Sequence, residues 1–136
     1  MSKAIGIDYG KKRVGIAISD SSKIIATGLC SVQTKDIFIF LMNLIENEEI
    51  DTIVVGEAKN LDGSNTDSTV EISKFINKIK NLFNHLKVTT IDERYTSKIA
   101  FKSLIDSGVK KNKRRNKFLV DEVSATIILQ DYLSYK

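Results

Sequence analysis

The sequence predicts a single α/β domain, residues 1–136, in which a mixed five-stranded sheet (three antiparallel strands, then parallel strands) is covered by helices on both faces. The first observation is the order of apolar patterns, which reads strand, strand, strand, helix, strand, helix, strand, helix, helix. The second is that each of the last two strands is reached through a helix, as parallel neighbours require. The third is the length, which supports one hydrophobic core and leaves little room for a second.

Three short strands open the chain. Residues 3–7 and 14–19 are runs of small and β-branched residues joined by the turn sequence DYGKK, and residues 24–32 continue as a third strand. Strands this close in sequence usually pair with one another, here as an antiparallel meander. An aspartate, Asp8, stands where the first of them ends.

A helix and a buried strand follow. Thr34 is a candidate N-cap for the helix, because its hydroxyl can accept a hydrogen bond from a free backbone N–H. The apolar residues of this helix recur at helical spacing, at Ile37, Phe40, Leu41, Leu44 and Ile45. Residues 51–56, DTIVVG, form the continuous apolar run of a strand buried on both faces.

The second helix follows a polar stretch of a length that is often functional. Ser68 and Glu71 have the spacing of a capping box at its start. Residues 87–91, KVTTI, then form the last strand, and Asp92 and Glu93 come directly after it.

Two more helices complete the predicted domain. Thr96 is a candidate cap for the third, which stops at Gly108, a residue typical of helix ends. The final helix covers about residues 118–132 and carries Asp121 near its start. At about 100° per residue Asp121 shares its arc with apolar residues and lies away from the polar face. The residues on its arc are Ala125, Ile128 and Tyr132, and those of the polar face are Glu122, Thr126 and Gln130.

Three acids are candidates for one site. Asp8 and Glu93 follow strands whose ends meet at the same edge of the predicted sheet, where ligands bind in such folds, and the final helix can add Asp121. Each acid also has an ordinary structural interpretation. Asp8 can be a turn residue that bonds the backbone, Glu93 can form a surface pair with Arg94, and Asp121 can pair with a nearby Arg or Lys.

Carboxylates brought together repel one another unless a cation neutralises them. The chain has one histidine, His85, and one cysteine, Cys30, which excludes an ordinary zinc site and any Cys-His pair beyond those two. Oxygen ligands alone suit Mg²⁺ or Mn²⁺. Two such ions can activate a water and stabilise the leaving oxygen of a phosphodiester.

Positive charge is concentrated in one segment. The net charge is +4, and residues 110–117, KKNKRRNK, contain six basic residues and no acid, so the rest of the chain sums to −2. Because this segment leads into the helix that bears Asp121, we expect Lys113, Arg114 and Arg115 to contact a phosphate backbone, although a solvated loop remains the alternative. Aromatic residues are only 7% of the chain, which gives little sign of base stacking.

Four blocks of the sequence, in order and together spanning nearly the whole chain, resemble the YqgF family, also called RuvX. They read GIDYGKKRVGIAISD, VVGEAKNLDGS, TTIDERYTSKIA and KRRNKFLVDEVSATIILQDYL. Members of this family are small RNase H-like nucleases related to the RuvC Holliday-junction resolvases. The resemblance implies an RNase H-like fold and a metal-dependent phosphodiesterase associated with maturation of the 5′ end of precursor 16S rRNA. It also implies that Asp8, Glu93 and Asp121 are the catalytic acids and metal ligands, whereas the neighbouring Asp92 either orients the site or binds metal.

The chain departs from the family pattern in the second block. The family reads glycine, leucine, proline after the strand, whereas here Gly56 is followed by Glu57 and Ala58, and the chain has no proline. Glu57 is then an additional acid near the same edge of the sheet. It is either a solvated loop residue or a supplementary metal ligand.

The resemblance and the charges together define the expected function. We expect Mg²⁺- or Mn²⁺-dependent cleavage of structured RNA by a cytoplasmic monomer or homodimer, without membrane association. The nucleic-acid contacts are expected at Lys11, Lys12, Arg13, Arg94, Lys113, Arg114 and Arg115. Two alternatives stay open, a resolvase acting on branched DNA and a non-catalytic RNA- or ribosome-binding module. The first block also resembles the phosphate-binding hairpin of the actin-like ATPases, but these need two such domains and the chain has one.

Overall fold

The computed structural model describes residues 2–57, 69–92 and 117–135. The strands are β1 (Lys3–Tyr9), β2 (Arg13–Ser19), β3 (Ala26–Gln33), β4 (Ile50–Glu57) and β5 (Lys87–Asp92). The helices are α1 (Ile37–Asn47), α2 (Thr69–Leu82) and α3 (Lys117–Tyr135), and a short 3₁₀ helix, Thr34–Asp36, precedes α1.

The sheet is mixed and five-stranded, in the order β3-β2-β1-β4-β5. β2 pairs antiparallel with β1 and with β3, and β4 pairs parallel with β1 and with β5. The predicted α/β fold is therefore confirmed. Because β1, β4 and β5 point the same way, their last residues, Tyr9, Glu57 and Asp92, lie at one edge, which we call the carboxyl edge.

One face of the sheet packs against α1 and α2. Alternate residues of β1 and β4 point to this side and are fully buried, as strand geometry requires. The cluster includes Ile5, Ile7, Ile53 and Val55 from the sheet with Ile37, Leu41, Ile72, Phe75 and Ile79 from the helices. Burying each such side chain stabilises the fold by roughly 1.5–3 kcal/mol, so this is the main core.

The other face packs against α3 and is built from smaller residues. Ala4, Ala17 and Val54 contact Ala125, Ile128, Leu129 and Leu133 of the helix. A Cβ placed on Gly6 would lie 2.5 Å from the Cβ of Leu129, so a larger side chain there would push the helix away. The helix therefore lies unusually close to the backbone of β1. Helices cover both faces of the sheet, as predicted.

The prediction that Thr34 caps the first helix is wrong. The N-cap of α1 is Asp36, and no side chain caps that helix end. The Thr34 hydroxyl instead donates to the carbonyl of Gly10 at 2.7 Å, and the Thr34 N–H donates to the carbonyl of Lys12 at 3.0 Å. The turn between β1 and β2 lies close enough to provide both acceptors, and this tertiary contact outcompetes the local cap.

The polar stripe of α3 faces the edge strand β3. Gln130 accepts a hydrogen bond from the Ala26 N–H and donates one to the Ile24 carbonyl, both at 2.9 Å. Glu122 and Thr126 lie against Gly28 of the same strand. These polar residues therefore attach the helix to the sheet.

Several predicted features lie outside the described residues. These are the polar stretch after Glu57, the Ser68 end of the capping box, and the third helix from Thr96 to Gly108. Within the described ranges, no helix is long and apolar enough to cross a membrane.

Candidate active site

Asp8 and the helix α3 meet at Gly15. Asp8 lies opposite Gly15 in the β1–β2 ladder, and residues opposite one another share a face of the sheet. That face is the α3 side, because Gly6, two residues before Asp8, contacts Leu129. A Cβ on Gly15 would overlap the backbone carbonyl of Asp121. The two predicted acids therefore lie at the same corner of the carboxyl edge. They meet there at Gly15, the one residue of β2 that has no side chain.

Arg13 holds the side chain of Asp121. Its Nε donates to Asp121 Oδ2 at 2.7 Å, and the two side chains are 27% and 21% exposed. A partly exposed pair of this kind contributes little to stability, typically less than about 1 kcal/mol, so orientation of the carboxylate is its larger effect. The structure thus shows the ion pair that was the alternative interpretation of Asp121. It also connects Arg13, a predicted phosphate contact, to a predicted catalytic acid.

Asp92 lies on the other side of the sheet. It is opposite Glu57 in the β4–β5 ladder, and the preceding residue, Ile91, packs against the α3 cluster. Successive side chains of a strand alternate, so Asp92 belongs to the face of α1 and α2, away from Asp8. This placement fits a neighbour of the site better than a ligand on the α3 side.

Tyr9 forms an aromatic cluster at the carboxyl edge, on the α2 side. Its ring stacks on Phe75 with 4.4 Å between centroids. Burial, together with the charge of Glu71, raises the pKa of Tyr9 above its usual value of 10.0. Tyr9 follows Asp8 in β1, so its side chain points to the opposite face of the sheet from that of Asp8.

Five of the predicted site residues lie outside the described residues and stay predictions. They are Glu93, Arg94, Lys113, Arg114 and Arg115. The other predicted basic residues, Lys11 and Lys12, are exposed on the turn that follows β1. They stand next to Arg13 and so near the corner that holds Asp8 and Asp121.

The donor chemistry of this corner fits a hard divalent ion. Asp8 and Asp121 offer carboxylate oxygens without nitrogen or sulfur ligands, the set that Mg²⁺ and Mn²⁺ prefer. Among the residues that the structure describes, no three His, Cys, Asp or Glu side chains come close enough to hold a metal by themselves. Glu93, the third predicted ligand, lies outside the described residues.

Two important residues were not identified from the sequence. Gly15 carried a usable signal, because a glycine inside a strand often marks a close approach of another backbone. Lys35 lies in the 3₁₀ helix and lines a surface shared with Lys11 and Lys12 of the β1–β2 turn. It carried no signal in the sequence, because this position depends on the tertiary hydrogen bonds of Thr34.

A family model described as "RuvX: Holliday junction resolvase" matches residues 2–135. The chain belongs to the RuvX family. Relatives with the name "Putative pre-16S rRNA nuclease" match the chain over nearly its full length. The relative from Flavobacterium psychrophilum is 47% identical, covering 100% of this chain and 99% of its own. The one from Christiangramia forsetii is 45% identical over 98% of each chain, and the one from Bacteroides fragilis is 41% identical over 100% and 99%.

The match to the RuvX family model covers the four sequence blocks that carry the resemblance. The match runs through all four blocks, including the first, with Asp8, and the last, with Asp121. The predicted family is therefore confirmed over essentially the whole chain.

Proposed function

We propose that this RuvX protein is a divalent-metal-dependent nuclease that hydrolyses phosphodiester bonds in structured RNA, acting in maturation of the 5′ end of precursor 16S rRNA. The observation that carries the proposal is the common corner of Asp8 and Asp121, made by the contact of Gly15 with the α3 backbone. The names of the relatives support the choice of substrate. The lone cysteine and this substrate fit a cytoplasmic protein.

Asp8, Asp121 and Glu93 are the residues that would hold Mg²⁺ or Mn²⁺. Such an ion supplies a water nucleophile at neutral pH and neutralises charge on the leaving oxygen. The protein's own part is positional. Gly15 sets the distance of α3 from the strands, and Arg13 orients the Asp121 carboxylate while offsetting its repulsion from Asp8.

Substrate binding is assigned to basic residues around this corner. Lys11, Lys12 and Arg13 flank it on the β1–β2 side. Four further basic residues are proposed to contact the phosphate backbone because of their positions in the sequence. They are Arg94, Lys113, Arg114 and Arg115. Contacts of this kind position a nucleic acid without reading its bases, so selectivity would come from RNA structure or from the precursor particle.

A second candidate substrate is branched DNA. The family model is described as a Holliday junction resolvase, and no residue has been identified that would read a 2′-hydroxyl. The same metal chemistry would serve either polymer, so the substrate must be decided by experiment.

The test compares a 5′ precursor fragment of 16S rRNA with a four-way DNA junction, each incubated with Mg²⁺, Mn²⁺ or EDTA. We expect cleavage of the RNA with either metal and none with EDTA. Asp8→Asn and Asp121→Asn should each slow cleavage at least about 100-fold, more than the loss of a supporting group next to a metal. Glu46→Gln, an exposed acid on the opposite side of the sheet, is the matched control and should cleave normally.

Each other outcome has a defined meaning. Cleavage of the junction alone would select the resolvase activity. Tight RNA binding without cleavage under any metal would select the non-catalytic module. Full activity of Asp8→Asn would remove this corner from the chemistry.

Metal binding can be measured without turnover. An ion that binds only the folded state stabilises it by about 2.7 kcal/mol when its concentration is 100 times its Kd. Saturating Mn²⁺ should therefore raise the Tm of the wild type. Asp8→Asn should show a clearly smaller rise, and Glu46→Gln the same rise as the wild type.

A further inference from the structure

A basic pocket of about 410 Å³ opens between the β1–β2 turn and the 3₁₀ helix. Its lining residues are Lys11, Lys12, Arg13, Gln33, Thr34 and Lys35. Of these six lining residues, all within the described part of the chain, four are cations and none is an acid. We propose that this basic pocket is a phosphate subsite that binds a backbone phosphate of the nucleic acid away from the bond that is cleaved.

Hydrogen bonds from Thr34 to backbone carbonyls join the two walls of the basic pocket. Thr34 donates its hydroxyl to Gly10 and its N–H to Lys12, at 2.7 and 3.0 Å. Arg13 and Gln33 are partners at the end of the β2–β3 ladder. These links fix the segment that bears Lys35 against the turn that bears Lys11 and Lys12. The cations therefore converge because of the fold and not through chance positions of long side chains.

The charge of the basic pocket is largely uncompensated. Within residues 2–57, 69–92 and 117–135, the ion pairs involve Lys3, Arg13 and Lys23, and none involves Lys11, Lys12 or Lys35. Three exposed ammonium groups in one concave surface create a local positive potential. Such a surface attracts phosphate groups, and each phosphate bound releases a condensed counterion from the nucleic acid.

Arg13 connects the basic pocket to the candidate active site. It lines the pocket, and its Nε also bonds Asp121, so the two sites are immediate neighbours. A polymer can place one phosphate in the pocket while another part of its backbone reaches Asp8 and Asp121. Free phosphate cannot use both sites, and for this reason the adjacency favours a nucleic acid. The identity of the polymer rests on the proposed function, but occupation of the pocket by a backbone phosphate does not need cleavage.

The experiment measures binding of a labelled RNA hairpin by fluorescence anisotropy, in EDTA, across a series of KCl concentrations. Lys35→Ala should weaken binding and reduce the slope of log K against log salt by about 0.7–0.9, the value of one lost phosphate contact. Lys80→Ala, an exposed lysine at the far end of α2, removes the same charge away from the basic pocket and should leave the slope unchanged. Circular dichroism checks that both variants are folded.

Three results would overturn the proposal. One is an unchanged salt slope for Lys35→Ala, and another is an equal reduction for Lys80→Ala, which would mean that only total charge matters. The third concerns inorganic pyrophosphate. If it raises the Tm of the wild type but not that of Lys35→Ala, while Lys35→Ala binds RNA normally, the pocket serves a free phosphate. Because binding is measured in EDTA, it is independent of cleavage. A slope change for Lys35→Ala together with no RNA cleavage in the Mg²⁺ and Mn²⁺ assays would retain the subsite and reject the nuclease activity.

Discussion

The backbone carbonyl of Asp121 lies directly against Gly15, leaving no space for a side chain between helix α3 and strand β2. Gly15 is also the ladder partner of Asp8. The absence of one Cβ therefore lets the Asp121 backbone lie directly against the ladder position opposite Asp8, and this contact is open to a direct test.

Gly15→Ala should destabilise the protein by about 1–3 kcal/mol, because the new methyl group meets backbone atoms that can move only with the whole helix. Displacing α3 also moves Asp121, so cleavage should fall more than the loss of folded protein explains. Urea unfolding gives the stability, and the cleavage rate is measured where both proteins are fully folded.

Gly28→Ala is the matched control, on the neighbouring strand under the same helix. Its new methyl group would meet Cγ and Oε1 of Glu122 and the Thr126 hydroxyl, which are side-chain atoms that can move without the helix backbone. We expect a smaller loss of stability and nearly normal cleavage. Equal losses for the two alanine variants would show that the Asp121 carbonyl is not the decisive contact.

Arg13→Ala removes the cation that pairs with Asp121. The unfolding free energy should fall by less than about 1 kcal/mol, because the pair is partly exposed. With one positive charge fewer beside Asp8 and Asp121, Mn²⁺ should bind more tightly in a thermal-shift titration, whereas RNA should bind more weakly. Arg13→Lys, which keeps the charge but cannot reproduce the Nε bond, separates charge from geometry. If Arg13→Ala weakened Mn²⁺ binding, the pair would not compete with the metal.

Gln130 joins α3 to the start of the edge strand by two hydrogen bonds, to Ala26 and Ile24. Gln130→Met keeps the length of the side chain but loses both bonds, which should cost about 1–2 kcal/mol in urea unfolding. Hydrogen exchange at the Ala26 amide should accelerate. Gln33→Met, at an exposed glutamine, should change stability by less than about 0.5 kcal/mol. Unchanged exchange at Ala26 in Gln130→Met would contradict the assignment.

Asp20 makes the stability of the β2–β3 turn depend on pH. The N–H groups of Ile25 and Ile24 donate to its carboxylate and lower its pKa below the usual 3.8. A depressed folded-state pKa gives stabilisation that is complete above 3.8 and is lost as pH falls through the folded value. Asp20→Asn keeps an acceptor oxygen but does not titrate. The wild type should therefore lose stability more steeply than Asp20→Asn below about pH 4, and parallel curves would exclude this role.

The sequence alone determined the fold class, the order and type of the described strands and helices, and the family. Periodicity is a local property, so the apolar runs of β1, β2 and β4 and the helical spacing in α1 and α2 report their environment directly. The candidate acids Asp8 and Asp121 were also identified from the sequence. Asp8 follows a predicted strand, Asp121 shares the apolar arc of the last helix, and both lie in the motifs of the family.

Only the tertiary structure decided which side chains meet. Thr34 was expected to cap a helix, but it donates hydrogen bonds to the β1–β2 turn. Arg13 was expected to contact a phosphate, and it also forms an ion pair with Asp121. The contact between Gly15 and Asp121 joins residues more than a hundred positions apart. No local pattern encodes such distances, because they result from the packing of α3 on the sheet, where small residues allow the backbones to come together.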